Sequence, residues 1–207
     1  MGTVLMVEGS DDQHVVKHIC GTRGLGAIDL IHPYQGAPAL LEGIGPRLKQ
    51  SDLQCLGIML DADESLAARW QAVASRLRAA GYAATPDFPD PNGTVLDSPD
   101  MQQLPRVGVW LMPDNQVEGI LENFLQFLVP TGDPLFGHVE ASVAAIGPEV
   151  CRFSELYRPK AKIHTWLAWQ DDPGRPFGQA ISKRYLDPTL PAANLFAGWL
   201  QRTFFVP

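Results

Sequence analysis

Apolar runs of four to six residues recur along the first half of the chain, and segments of helical periodicity separate them. The runs are Thr3–Val7, Ile28–Ile31, Cys55–Leu60 and Val107–Met112. Each is too short for a buried helix and is bounded by Gly, Asp or Pro, as strands are. Between them, Ser10–Cys20 starts with Ser10 as an N-cap and Asp11 and Asp12 in its first turn, where the positive helix end favours carboxylates. Gly36–Lys49 reads as a helix interrupted by Gly43, Gly45 and Pro46. Ser65–Ala80 is the clearest helix, with Leu66, Trp70, Val73 and Leu77 on one stripe and Gly81 as its C-cap. Alternating strands and helices of this kind predict an α/β fold with a parallel sheet covered by helices. Four main strands in the order 2-1-3-4 are expected, and Thr94–Leu96, in the Pro- and Asp-rich stretch 82–105, can add a short edge strand.

After Pro113 the pattern turns wholly helical: Val117–Leu128, Val139–Ile146, Ala161–Gln170, Phe177–Tyr185 and Ala193–Phe204. No flexible linker separates this part, so residues 1–207 read as one domain. Residues 1–115 would form its α/β core, and residues 116–207 a helical extension packed on it.

With 45% hydrophobic residues the chain belongs with globular proteins, and no apolar run approaches the ~20 residues of a membrane helix. The three cysteines (Cys20, Cys55, Cys151) are odd in number and scattered, without zinc spacing. Glu8, Asp11 and Asp12 stand where a signal peptide carries Lys or Arg. A reducing cytoplasm is the expected compartment. The formal charge of −7 argues against a protein that holds nucleic acid by charge alone.

The placement of the acids carries the functional reading. Glu8 directly follows the first strand, and Asp61 and Asp63 follow the third. In an open parallel sheet the strand C-termini share one edge, and ligands bind where the strand order reverses. All three acids therefore converge there. Extended backbone between Asp61 and Asp63 would place their Cα atoms roughly 6.5–7 Å apart with both side chains on one side. Such a group repels itself unless a cation joins it, and oxygen-only ligands suit Mg²⁺ or Mn²⁺. The chemistry expected is phosphoryl transfer or phosphodiester hydrolysis.

Val7-Glu8-Gly9-Ser10-Asp11-Asp12 and Leu60-Asp61-Ala62-Asp63 resemble the two signature motifs of the Toprim domain, shared by topoisomerases, bacterial primases and OLD-family nucleases. Pro113, Gly119-Ile120-Leu121-Glu122 and the Lys160–Trp169 helix more narrowly resemble a stand-alone Toprim-related family of unassigned function, the DUF3226 type. The resemblance implies a Mg²⁺- or Mn²⁺-dependent nuclease acting on DNA or RNA, in phage defence or DNA processing. It also allows a non-catalytic scaffold that partners an ATPase. It implies Glu8 as general acid/base and metal ligand, and Asp61 and Asp63 as metal ligands. By likeness to the OLD branch, Asp12 and Glu122 would complete a second metal site. Lys160 or Lys162 would assist the transition state, and Arg158, Lys160 and Lys162 would face phosphate, with Arg152 nearby.

Plainer roles exist for the same residues. Asp63 or Ser65 can cap the following helix, Asp11 and Asp12 can be first-turn acids, and Glu122 can lie on a polar helix face. His14 and His18 are i, i+4 on one helix without a third ligand. Trp166, Leu167 and Trp169 read as a packing face. A receiver-like phospho-acceptor would not need the DxD doublet. A HAD-type phosphatase would carry its aspartate where Glu8 stands.

Overall fold

Side chains alternate across a strand, and this alternation sorts the apolar residues onto two faces. In β1 (Thr3–Val7) and β3 (Cys55–Asp61), Val4, Met6, Leu56, Ile58 and Leu60 enter one core. Leu5, Val7 and Met59 enter the other. β5 (Arg106–Met112) divides likewise, with Val107, Val109 and Leu111 against Trp110 and Met112. The protein, described by a computed structural model over residues 2–99 and 104–205, is thus a mixed α/β molecule with helices on both faces of one sheet.

The sheet has five strands in the order β2-β1-β3-β5-β4, with β2 at Leu30–Pro33 and β4 at Thr94–Leu96. β2, β1, β3 and β5 are mutually parallel in the expected order. The fifth strand is the short Thr94–Leu96 segment, which pairs antiparallel with β5 at the edge. β2 lies two residues later than the apolar run suggests, because Tyr34 N donates to Val7 O (2.8 Å) and extends the pairing to the end of β1.

One face is covered by α2 (Ala37–Leu48) and α3 (Leu66–Ala79), the other by α1 (Ser10–Arg23) and the helices after β5. These last are α4 (Leu121–Gln126), α5 (Pro134–Ala144), α6 (Arg158–Ala168), α7 (Phe177–Ser182) and α8 (Pro191–Phe204), with a 3₁₀ turn at Glu155–Tyr157. Gly57 and Gly108 are register partners on β3 and β5, and a Cβ on either would strike Phe204 or Thr203 of α8. The missing side chains form a trough that lets α8 lie close to the sheet. Trp110 of β5, Phe124 of α4, and Phe196 and Trp199 of α8 fill the space beside it, ring centroids 5.2–5.7 Å apart.

Helix boundaries differ where capping decides them. Ser10 is the first residue of α1 rather than its cap. Gly9 caps the helix, because Asp12 Oδ2 reaches back to Gly9 N (2.9 Å). Ser65 caps α3 through Ala68 N (3.2 Å). α4 starts only at Leu121, since residues 114–120 spend their hydrogen bonds on turns and on β3. Trp166 and Leu167 are buried, but Trp169 is 46% exposed, at the point where α6 has ended. Cys20, Cys55 and Cys151 are free thiols. Among the described residues no helix is long and apolar enough to cross a membrane.

Candidate functional site

β1 and β3 end side by side, which brings their following residues together although 53 positions separate Glu8 from Asp61. Glu8 Oε1 accepts from Asp61 N at 2.8 Å, so one carboxylate ties the two strand ends. Asp61 follows Met59 on the face that carries the later helices. Its Oδ1 accepts from Leu121 N at 2.9 Å, across 60 positions. Asp63 and Gly119 exchange both backbone hydrogen bonds (2.8 and 2.9 Å), and Ala62 N donates to Met112 O at 3.1 Å. The acidic turn after β3 is thereby stitched to the segment that begins α4. Gly119 has φ +145°, and a Cβ there would lie 2.7 Å from Asn123 Oδ1. That oxygen accepts from Ile120 N (3.0 Å) and shapes the start of α4. Glu122, in the first turn of α4, is buried with 5% of its surface exposed, and Lys160 Nζ of α6 lies 3.0 Å from its Oε1.

Burial and mutual repulsion dominate the electrostatics. Burial, then the charges of Asp12, Glu8, Glu122 and Asp63, hold the Asp61 carboxyl well above the usual range. Burial, then Glu8, push Asp12 up to about 7, with Glu122 adding to the effect. Glu8 is raised chiefly by burial and further by Asp63. Backbone N–H groups of Asp61 and Ala37 and the Arg69 guanidinium pull the other way. Five carboxylates from three separate stretches thus feel one another. Two cations answer them: Arg69, hydrogen-bonded to Asp63, and Lys160, on Glu122. Burial lowers the Lys160 pKa, but its bond to Glu122 and the nearby Asp11 and Asp61 outweigh this and raise it on balance. With every group ionised, five negative and two positive charges leave a net −3.

The fit to a divalent cation is good in kind and incomplete in position. The donors are all oxygen, the uncompensated charge is negative, and a lysine ammonium already stands against the most buried of the carboxylates. Yet among the described residues no three His, Cys, Asp or Glu side chains surround one point closely enough to hold a metal ion as they stand. Closing them on a cation requires carboxylates to turn about their side-chain bonds.

Glu8, Asp12, Asp61 and Glu122 meet as one group, with Lys160 beside them. Asp63 departs from the expected extended pair. Its φ is +53°, so it does not repeat the direction of Asp61, and its carboxylate is engaged by Arg69. Lys162 instead pairs with Glu140 at 2.8 Å and Arg158 with Glu155 at 2.6 Å, so each answers an acid outside the group. His18 Nδ1 is hydrogen-bonded to Ser182 Oγ (2.6 Å). Arg69 escaped the sequence reading, although a signal existed. A cation in the first turn of a helix opposes the helix dipole and calls for a nearby acid.

The family described as "Protein of unknown function (DUF3226)" matches residues 2–205. No curated protein and no solved structure matches the chain.

Proposed function

The chain belongs to the DUF3226 family, and from its acidic edge we propose a Mg²⁺- or Mn²⁺-dependent enzyme that hydrolyses phosphodiesters of nucleic acid on a Toprim-type fold. One observation carries this reading: buried Asp12 and Glu122 and half-buried Asp61 lie within one another's electrostatic field at the C-terminal edge of the parallel strands. Burying like charges is costly, and a bound dication offsets that cost. Glu8, Asp12 and Asp61 would hold the ion, with Asp63 and Glu122 as further donors. A dication there polarises a phosphoryl oxygen and lowers the pKa of bound water. The chain's own part is orientation. Backbone N–H groups of Asp61, Gly9 and Leu121 each fix one oxygen of Glu8, Asp12 and Asp61. Glu8, joined to the backbone of β3, would accept a proton from an attacking water. Lys160, held at the edge of the acidic group by Glu122, would be the cation to offset the developing phosphoryl charge.

The test is cleavage of single-stranded and duplex DNA and RNA with Mn²⁺ or Mg²⁺, by wild type, Asp61→Asn and Glu8→Gln. Wild type should cut at least one of these. Asp61→Asn should be at least about a hundredfold slower, on the scale of a lost catalytic electrostatic contact. Cleavage by Asp61→Asn at the wild-type rate would overturn the assignment. The internal pairing of Asp63 with Arg69 and Glu122 with Lys160 favours a second reading, a metal-stabilised scaffold that serves an ATPase partner. Mn²⁺ binding with no cleavage of any nucleic acid would select it.

A further inference from the structure

The two cations at the acidic edge are held differently. The Arg69 side chain is 16% exposed and rises from the start of α3 onto Asp63. The Lys160 side chain is 49% exposed and rises from the first turn of α6, whose dipole disfavours a cation there. An ammonium on a flexible four-carbon stem, strongly drawn to water, is released more readily than a packed guanidinium. Its partner is the reverse. Glu122 is nearly inaccessible, lies in the field of Asp61 and Asp12, and takes its compensation from Lys160.

Resting on the metal reading above, we infer that the Lys160 ammonium is a tethered competitor for the divalent ion at Glu122. Glu122 is then a conditional ligand. Glu8, Asp12 and Asp61 take a first dication without displacing any ion-paired cation, whereas Glu122 joins only when Lys160 swings out to solvent. The same movement delivers the ammonium to the mouth of the site, where a phosphate would meet it. Dication loading and the presentation of a positive charge to the substrate become one event. Lys162, two residues on and paired with Glu140, has no part in this exchange and serves as its internal control.

The experiment is competitive acetylation of the full chain, stripped with EDTA and then treated with Mn²⁺, with labelling at Lys160 and Lys162 read by mass spectrometry. Release from Glu122 breaks the ion pair that shields the Lys160 amine and opens it to the reagent. Its labelling should therefore speed up roughly fivefold with Mn²⁺ while Lys162 is unchanged. Glu122→Gln should label fast at Lys160 without any metal. Calorimetric titration gives the second readout: Lys160→Met should bind Mn²⁺ about tenfold more tightly, since a nearby positive charge is gone. Lys162→Met should bind as wild type. Lys160→Gln, with folding checked by circular dichroism, repeats the test if the Met variant is unstable. If Mn²⁺ binds but Lys160 labelling and the Lys160→Met affinity do not change, the inference fails and the metal reading stands. If Mn²⁺ binds to none of the variants, both fall.

Discussion

Asp12 is the residue at which a bland and a sharp role coincide. It completes the cap of α1 through Gly9 N, which alone would justify an acid there. It is also 8% exposed beside Glu8, and a carboxylate needed only for capping would do as well in solvent. Its pKa of about 7, against 3.8 unperturbed, fixes a pH dependence. Between those values the folded chain keeps a proton that the unfolded chain has lost, so stability falls as pH rises from about 4 to about 7 and is level above that. The interval is about three units, or up to about 4 kcal/mol. Urea denaturation in EDTA should give a more stable protein at pH 5 than at pH 8, and Asp12→Asn should reduce the difference without abolishing it, because Asp61 and Glu8 are raised in the same sense. Excess Mn²⁺ should stabilise more at pH 8, because the ligands must be deprotonated. A metal-free protein that gains stability from pH 5 to 8 would contradict this account.

At the scale of elements, the site depends on the antiparallel stitch between the turn after β3 and the entry to α4. Gly119 is its tightest point, by conformation and by contact with Asn123. Gly119→Ala should destabilise the fold by about 1–3 kcal/mol and blunt the Mn²⁺ response, measured by urea denaturation with and without the ion. The strands, their order and the convergence of Glu8 with Asp61 were legible in the sequence, because short apolar runs and strand-end acids obey simple periodicity. The stitch was not. The residues from Val117 onward have helical spacing, and it is hydrogen bonds to Asp114, Asp63 and Asn123 that hold 117–120 out of the helix. The partners of Lys162 and Arg158 were also beyond reach, since a basic cluster in sequence does not say which acid each member will meet. Glu140 lies on a different helix from Lys162.

For the whole molecule, the later helices share one apolar body with the sheet. Trp110, Phe124, Phe196 and Trp199 join β5, α4 and α8, and the glycine trough on β3 and β5 seats α8. Trp199→Ala should cost about 3–5 kcal/mol. Unfolding followed by tryptophan fluorescence and by far-ultraviolet circular dichroism should give coincident transitions. Separated transitions would mean that the helices after β5 come apart on their own.

The two margins of the sheet are short. β2 has four residues and finishes on Pro33, which has no N–H to offer, and β4 has three residues running against the rest. Backbone of that length gives a neighbouring chain little to zip onto. Growth of a ribbon strand by strand from one copy to the next is thereby disfavoured, which leaves the side chains of the helices and the acid-lined rim as the better surfaces for contact.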